Sequence, residues 1–276
     1  MRLTKTSLYR KHIAIPQDHG SWVFILCPLL VGIFAGGRFT SASFNLIIAS
    51  LAAFLLRQPI TIAAKAVSGR RTKDYLPGAF FWIIVYGFIA LLALAALISK
   101  GYGYILFLAL PGIPVFAWHL WLVGRREERR QINVEIIATG VLSLVAPAGY
   151  WIGIGRYNPI GWWLWILVWM QSAASIVYAY LRLEQREQTK SVARSGMWRM
   201  GVRAFAYTTF NLASTLSLGL FAALPRFLFI PYLLQWIETI WGVFHPAIGW
   251  KPIKIGTRQL IVTTLWTILF IIVWRP

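Results

Sequence analysis

Arg57, Gln58, Thr61 and Lys65, near the end of the second apolar run, are the residues best suited to hold an anion. A guanidinium forks across two oxygens of a carboxylate or phosphate, an ammonium adds a point charge, and amide and hydroxyl groups supply neutral donors. At 100° per residue the four fall within an arc of about 100°, so on a helix they form one stripe. Arg57 then lies about 12 Å deeper than Lys65, too far for both to reach one interface by stretching. Pro59 stands between them and frees the carbonyl near Leu55, which predicts a kink or a loosened turn beside Arg57.

A second stripe runs through Gln171, Ser175, Tyr178 and Arg182, within about 60° on a helix, and Gln185 continues it. Other residues carry weaker signals. Asp18 could cap the first helix, and His19 beside it is the type that titrates near neutral pH. Arg125 is the loop arginine closest to a span end and the best placed of its cluster to face inward, while Asn133 and Glu135 open the fifth run. Glu135 and Glu238 could each partner a buried cation. Asn211 shares a side with Tyr207, Thr208, Ser214 and Thr215, a pattern that serves most often as glue between helices. His119 and His245, alone near span ends, read as packed or interfacial, and tryptophans 118, 121, 151, 162, 163 and 165 read as interfacial belts.

The elements that must position these residues are apolar. Of 276 residues 58% are hydrophobic and 13% charged, with 15 Trp and a mean hydropathy of +0.65, which points to a multi-pass membrane protein. Crossing the hydrocarbon layer takes roughly 20 apolar residues as a helix. Nine runs qualify, at about 20–37, 42–64, 77–99, 102–123, 133–154, 160–181, 204–224, 227–247 and 257–274. The loops are short and no soluble domain intervenes, so one all-α bundle over 1–276 is expected.

The net charge of +19 is explained by where the cations fall. Residues 1–19, 65–76, 124–131, 182–203 and 251–258, on alternate loops, hold 21 of the 27 Lys and Arg. The other side holds Arg38, Lys100, Arg156, Arg226 and Arg275, and Arg57 alone lies deep within a span. Cations mark the cytoplasmic side, so the N-terminus is expected inside and the C-terminus outside. Attraction to anionic lipid, about 1 kcal/mol per cation near the surface, accounts for the basic loops without nucleic acid. The single Cys27 excludes an internal disulfide, and no Cys/His spacing suggests a structural metal. Residues 1–35 have the basic start and apolar stretch of a signal peptide but no clear small-residue cleavage site.

Nine helices with polar sites ending the second and sixth resemble the UbiA superfamily of intramembrane prenyltransferases, which act on polyprenyl diphosphates. The family's first motif, N-D-x-x-D-x-x-x-D, falls here on Arg57, Gln58, Thr61 and Lys65. Its second, near D-x-x-Y-A-x-x-D, falls on SIVYAYLR, where Tyr178 and Ala179 fit while Ser175 and Arg182 replace the aspartates. RRQINVEIIATGVLSLVAPAGYWIG resembles the family's fifth helix. The opening PQDHGSWVFILCPLLVG and the basic replacements look closer to the bacterial YwiC-like membrane proteins. The resemblance implies a UbiA-like cavity in a bacterial cytoplasmic membrane. The carboxylates that would hold Mg²⁺ are absent, so no cofactor is expected. Basic residues in their place would hold an anionic isoprenoid or other amphiphilic lipid directly, and an enzyme, if it is one, would be a metal-independent prenyltransferase-like protein. Two other readings fit the same residues: a transporter of a small anion or amphiphile, and a non-catalytic membrane partner protein.

Overall fold

The computed structural model describes residues 11–16, 19–127, 131–188 and 194–274. Among these no strand occurs, and eleven α-helices follow in order: α1 Lys11–Ala14, α2 Val23–Ala35, α3 Ser41–Val67, α4 Leu76–Ser99, α5 Gly112–Arg125, α6 Ile132–Ser143, α7 Val145–Ile154, α8 Ile160–Arg186, α9 Arg194–Leu220, α10 Phe229–Phe244 and α11 Pro252–Val273. Short 3₁₀ turns at His19–Trp22 and Gly103–Ala109 lead into α2 and α5. Each of the nine apolar runs thus has a helical counterpart. Among the described residues six segments are long and apolar enough to cross a membrane: Ser41–Val67, Lys73–Ser99, Gly103–Arg125, Ile132–Ile154, Ile160–Arg186 and Pro252–Val273. The molecule is a helical membrane protein on this ground. The helical stretch Gly20–Ala35 and the 16-residue α10 are shorter, and α9 opens with Arg194, Arg199 and Arg203.

Local chemistry sets several boundaries. Thr40 caps α3 by accepting from the Ser43 amide, and the Ser43 hydroxyl accepts from the Thr40 amide in return. The helix then runs unbroken through Pro59, where a kink or loosened turn was expected, and the Thr61 hydroxyl donates to the Arg57 carbonyl at 2.8 Å. The fifth run divides instead. α6 stops at Ser143 and α7 begins after Leu144, which places Pro147 in the first turn of α7, where a missing amide costs least.

α2 and α7 form the centre, with α3 and α4 packed together on one flank and α8 to α11 on the other. Their crossing is made by glycines. A Cβ on Gly153 would stand 2.6 Å from the Gly36 Cα, one on Gly149 would stand 2.9 Å from the Ile33 amide, and one on Gly32 would strike the Ala146 carbonyl. In lipid, where apolar association has little solvent drive, such backbone approach is what holds helices together. Around it Cys27, Val31, Ala146, Trp151, Leu164, Tyr232 and Trp266 form the main core. Trp151 is therefore a core residue, 2% exposed, and its indole donates to the Asn158 carbonyl at 2.6 Å. Trp118, Trp121, Trp162 and Trp163 are exposed as a belt requires.

Candidate functional site

The second stripe is buried along its whole length. Gln171, Ser175, Tyr178, Arg182 and Gln185 all point from α8 into the bundle. α10 answers with Gln235, Glu238, Thr239 and Gly242, at helical spacings of three and four, also buried. The two rows meet in layers. Gln171 donates to the Ser175 hydroxyl at 3.0 Å, and Gln235 donates to the Gln171 carbonyl at 3.1 Å. One turn on, the Tyr178 hydroxyl donates to Glu238 Oε1 at 2.9 Å. Arg258, from the first turns of α11, grips the same carboxylate at both oxygens, Nε to Oε1 at 2.6 Å and Nη2 to Oε2 at 2.7 Å.

Arg182 lies below this layer, 1% exposed. Its Nη1 donates to the carbonyls of Gly242 and His245, both at 2.7 Å, and to Gln185 Oε1 at 2.9 Å. The guanidinium carbon lies 4.9 Å from the Trp250 ring and 5.6 Å from the Trp241 ring. Trp241 also carries Arg258, at 3.7 Å, and Trp250 carries the Lys254 ammonium, at 4.0 Å. Of the two guanidiniums it is Arg258 that holds the Glu238 carboxylate. Arg182 has carbonyls, an amide and ring faces around it, while its Nη2, buried, has no acceptor.

The first stripe has other surroundings. The Arg57 guanidinium sits 5.3 Å from the Phe54 ring of its own helix. Gln58 Nε2 donates to the His12 carbonyl at 3.0 Å, and Lys65 lies half-buried in the last turn of α3. α3 packs mainly on α4, with α1, α2, α5 and α7 at its edges, whereas α8 packs on α6, α7, α9, α10, α11 and α2. The structure therefore lines Ser175, Tyr178 and Arg182 along the one buried face of α8 that meets α10, and puts Arg57, Gln58, Thr61 and Lys65 on a different helix, α3, with Gln58 bonded to the N-terminal segment. A groove of about 370 Å³ between α2 and α11 and a recess of about 380 Å³ at the α9–α10 turn, lined in part by Arg226, include neither Arg57 nor Arg182 in their walls.

The remaining candidates scatter. Arg125 is exposed, with its guanidinium 4.0 Å from the Trp121 ring. Asn133 is exposed, Glu135 accepts from the Tyr180 hydroxyl at 2.7 Å, and Asn211 ties α9 to α8 through the Met170 carbonyl at 2.8 Å. The His245 ring stacks on Trp241 with centroids 4.8 Å apart. Asp18 lies outside the described residues, as does the side chain of His19. Among the described residues no three His, Cys, Asp or Glu side chains gather as a metal site. Sequence reasoning weighed Glu238 as a partner for a cation but counted Arg258 among the loop cations and passed over Trp241 and Trp250. The signal that could have found them is the polar spacing of α10, read against that of α8.

No solved structure matches the chain. The family model described as YwiC-like protein matches residues 15–150, which include the α3 stripe and stop short of α8. The uncharacterized protein YwiC of Bacillus subtilis (strain 168) is 27% identical over 255 residues, covering 90% of this chain and 92% of its own. Through residues 15–150 by the family model, and through nine tenths of its length by this relative, the chain is similar to the YwiC-like proteins.

Proposed function

We propose that this chain is a multi-pass protein of the bacterial cytoplasmic membrane, with its basic loops inside, that binds an anionic amphiphile through Arg182. One observation carries the reading: a buried guanidinium without a carboxylate of its own, bearing an unbonded nitrogen. Arginine keeps its charge in proteins, and a buried charge costs several kcal/mol unless it is paired and fully hydrogen-bonded. Carbonyl dipoles and aromatic faces offset part of that cost. An oxyanion would supply the rest, and a membrane presents oxyanions on lipid head groups.

The centre occupies the positions of the UbiA-like second motif, with Arg182 where that motif ends in an acid. This supports an anion held by the protein's own cation in place of a metal. The reading is of binding rather than turnover, since Glu238, the acid at the centre, is engaged at both oxygens by Arg258. The isoprenoid character of the amphiphile rests on the resemblance alone. The α3 stripe takes no part in this reading.

Native mass spectrometry of the protein purified in mild detergent tests it. An anionic lipid should accompany the wild type and Arg57→Gln, and be lost from Arg182→Gln at unchanged helix content. Equal lipid content in Arg182→Gln would sink the reading.

A further inference from the structure

The turn between α10 and α11, residues 245–251, covers Arg182 at the end of the bundle that carries the basic loops. The His245 carbonyl takes one Arg182 donor, the Ala247 amide donates to Gln185 Oε1 at 3.3 Å, and Arg186 Nε donates to the Trp250 carbonyl at 3.1 Å. Trp250 lies between two cations, the Arg182 guanidinium on one contact and the Lys254 ammonium on another. Gly249, at φ +68°, makes the reversal before it and has no heavy atom within 4 Å of where a Cβ would stand. The cover is held by these bonds, by the Trp250 ring contacts and the His245 stack on Trp241, and by the buried Ala247, while Ile248 and Gly249 between them are exposed. Beneath it Nη2 still has its donors unused.

We infer that the free edge of Arg182 is the binding site for a single oxyanion group, a carboxylate or a phosphate, admitted from the aqueous side by displacement of the 245–251 turn with Trp250 as its door. The inference rests on the reading above and sharpens it in two respects. With Nη1 committed to two carbonyls and the Gln185 amide oxygen, Nη2 is the buried nitrogen left to donate, which suits one oxyanion rather than a chain of them. Entry past Trp250 exchanges one partner of its ring, Arg182, for water while Lys254 stays near the opening. Lys254, exposed at the mouth, draws anions toward the door by its charge. The oxyanion can be a lipid head group curling in from the leaflet or a free anion from solution, since both present the same atoms to Nη2.

The full chain in nanodiscs of phosphatidylcholine separates these sources. Thermal unfolding is followed with inorganic phosphate in the buffer, and separately with phosphatidic acid in the bilayer, for the wild type, Arg182→Lys and Trp250→Ala. A saturable rise in Tm with phosphate alone assigns a free anion, and a rise with phosphatidic acid alone assigns a head group. Arg182→Lys keeps the charge but lacks the fork and should weaken binding by about tenfold or more. Read by phosphorus-31 NMR of bound and free phosphate, Trp250→Ala should bind within a few-fold of the wild type yet exchange the anion about tenfold faster, because an open door speeds entry and exit alike. An unshifted wild type, or a shift untouched by Arg182→Lys, overturns the site. Slower or unchanged exchange in Trp250→Ala overturns the door. An anionic lipid that copurifies with the wild type and is lost from Arg182→Gln, with exchange unchanged in Trp250→Ala, would leave amphiphile binding standing and the door fallen, whereas phosphate binding at Arg182 without any lipid would do the reverse.

Discussion

At the scale of single residues the α8–α10 seam turns on Gly242 and on how one carboxylate is shared. A Cβ at position 242 would strike the Tyr178 hydroxyl and stand 2.6 Å from its ring carbon Cζ, so Gly242→Ala must push Tyr178 off Glu238 or part the helices. Overpacking of this kind costs about 1–3 kcal/mol, seen as a lower Tm. Glu238→Gln removes the carboxylate and leaves Arg182 and Arg258 as facing cations. With the Glu238 side chain 10% exposed and that of Arg258 35% exposed, the loss should fall at or below the roughly 3–5 kcal/mol of breaking a fully buried pair. The double variant Glu238→Gln with Arg258→Gln should be less destabilised than the sum of the two single variants, because the second change removes the cation that the first leaves unpaired. Strict additivity would show that the pair is not coupled.

At the scale of elements the α2–α7 crossing decides whether the two flanks stay joined. Gly32→Ala sets a methyl against the Ala146 carbonyl, and backbone cannot step aside as a side chain can, so this variant should lower Tm sharply or fail to accumulate. Gly87→Ala on α4 is the matched control. Nothing lies within 4 Å of its added Cβ, and a helical Gly→Ala change with open space around it should be neutral or stabilising by about 0.5–1 kcal/mol. Equal loss in both would remove the crossing from the argument. The helices themselves were readable in the sequence, since apolar length is a local property. The crossing was not, because Gly36 and Gly153 meet although they stand 117 positions apart, a separation that no local period connects. Pro59 and Pro147 show the same limit. Both were visible, but only Pro147 falls beside a helix break, and position within the turn, unknown beforehand, made the difference.

At the scale of the whole molecule the question is how many segments cross. The six long apolar segments alone would put residues 1–40 on one side and 187–251 on the other. The shorter α2 and α10 and the arginine-led α9, crossing as well, would put the basic N-terminal residues and the other basic loops on the same side, and Arg226 opposite them. The uneven partition of cations favours the nine-fold arrangement, and a segment somewhat under 20 residues can still cross where the bilayer thins around it. The same one-dimensional count hid Arg258, because a cation that marks a side and one that pairs with a buried acid look alike until the helices are brought together. The α9–α10 turn discriminates between the two arrangements. In a Cys27→Ser background, Ala223→Cys should react with a membrane-impermeant thiol reagent on intact cells, whereas Ser68→Cys should react only after permeabilisation. Under six crossings both positions lie on the same side of the membrane, so matched labelling of the two would exclude the nine-fold topology. Opposite labelling, as expected, would establish that α9 crosses, which the nine-fold arrangement requires and the six-fold one forbids.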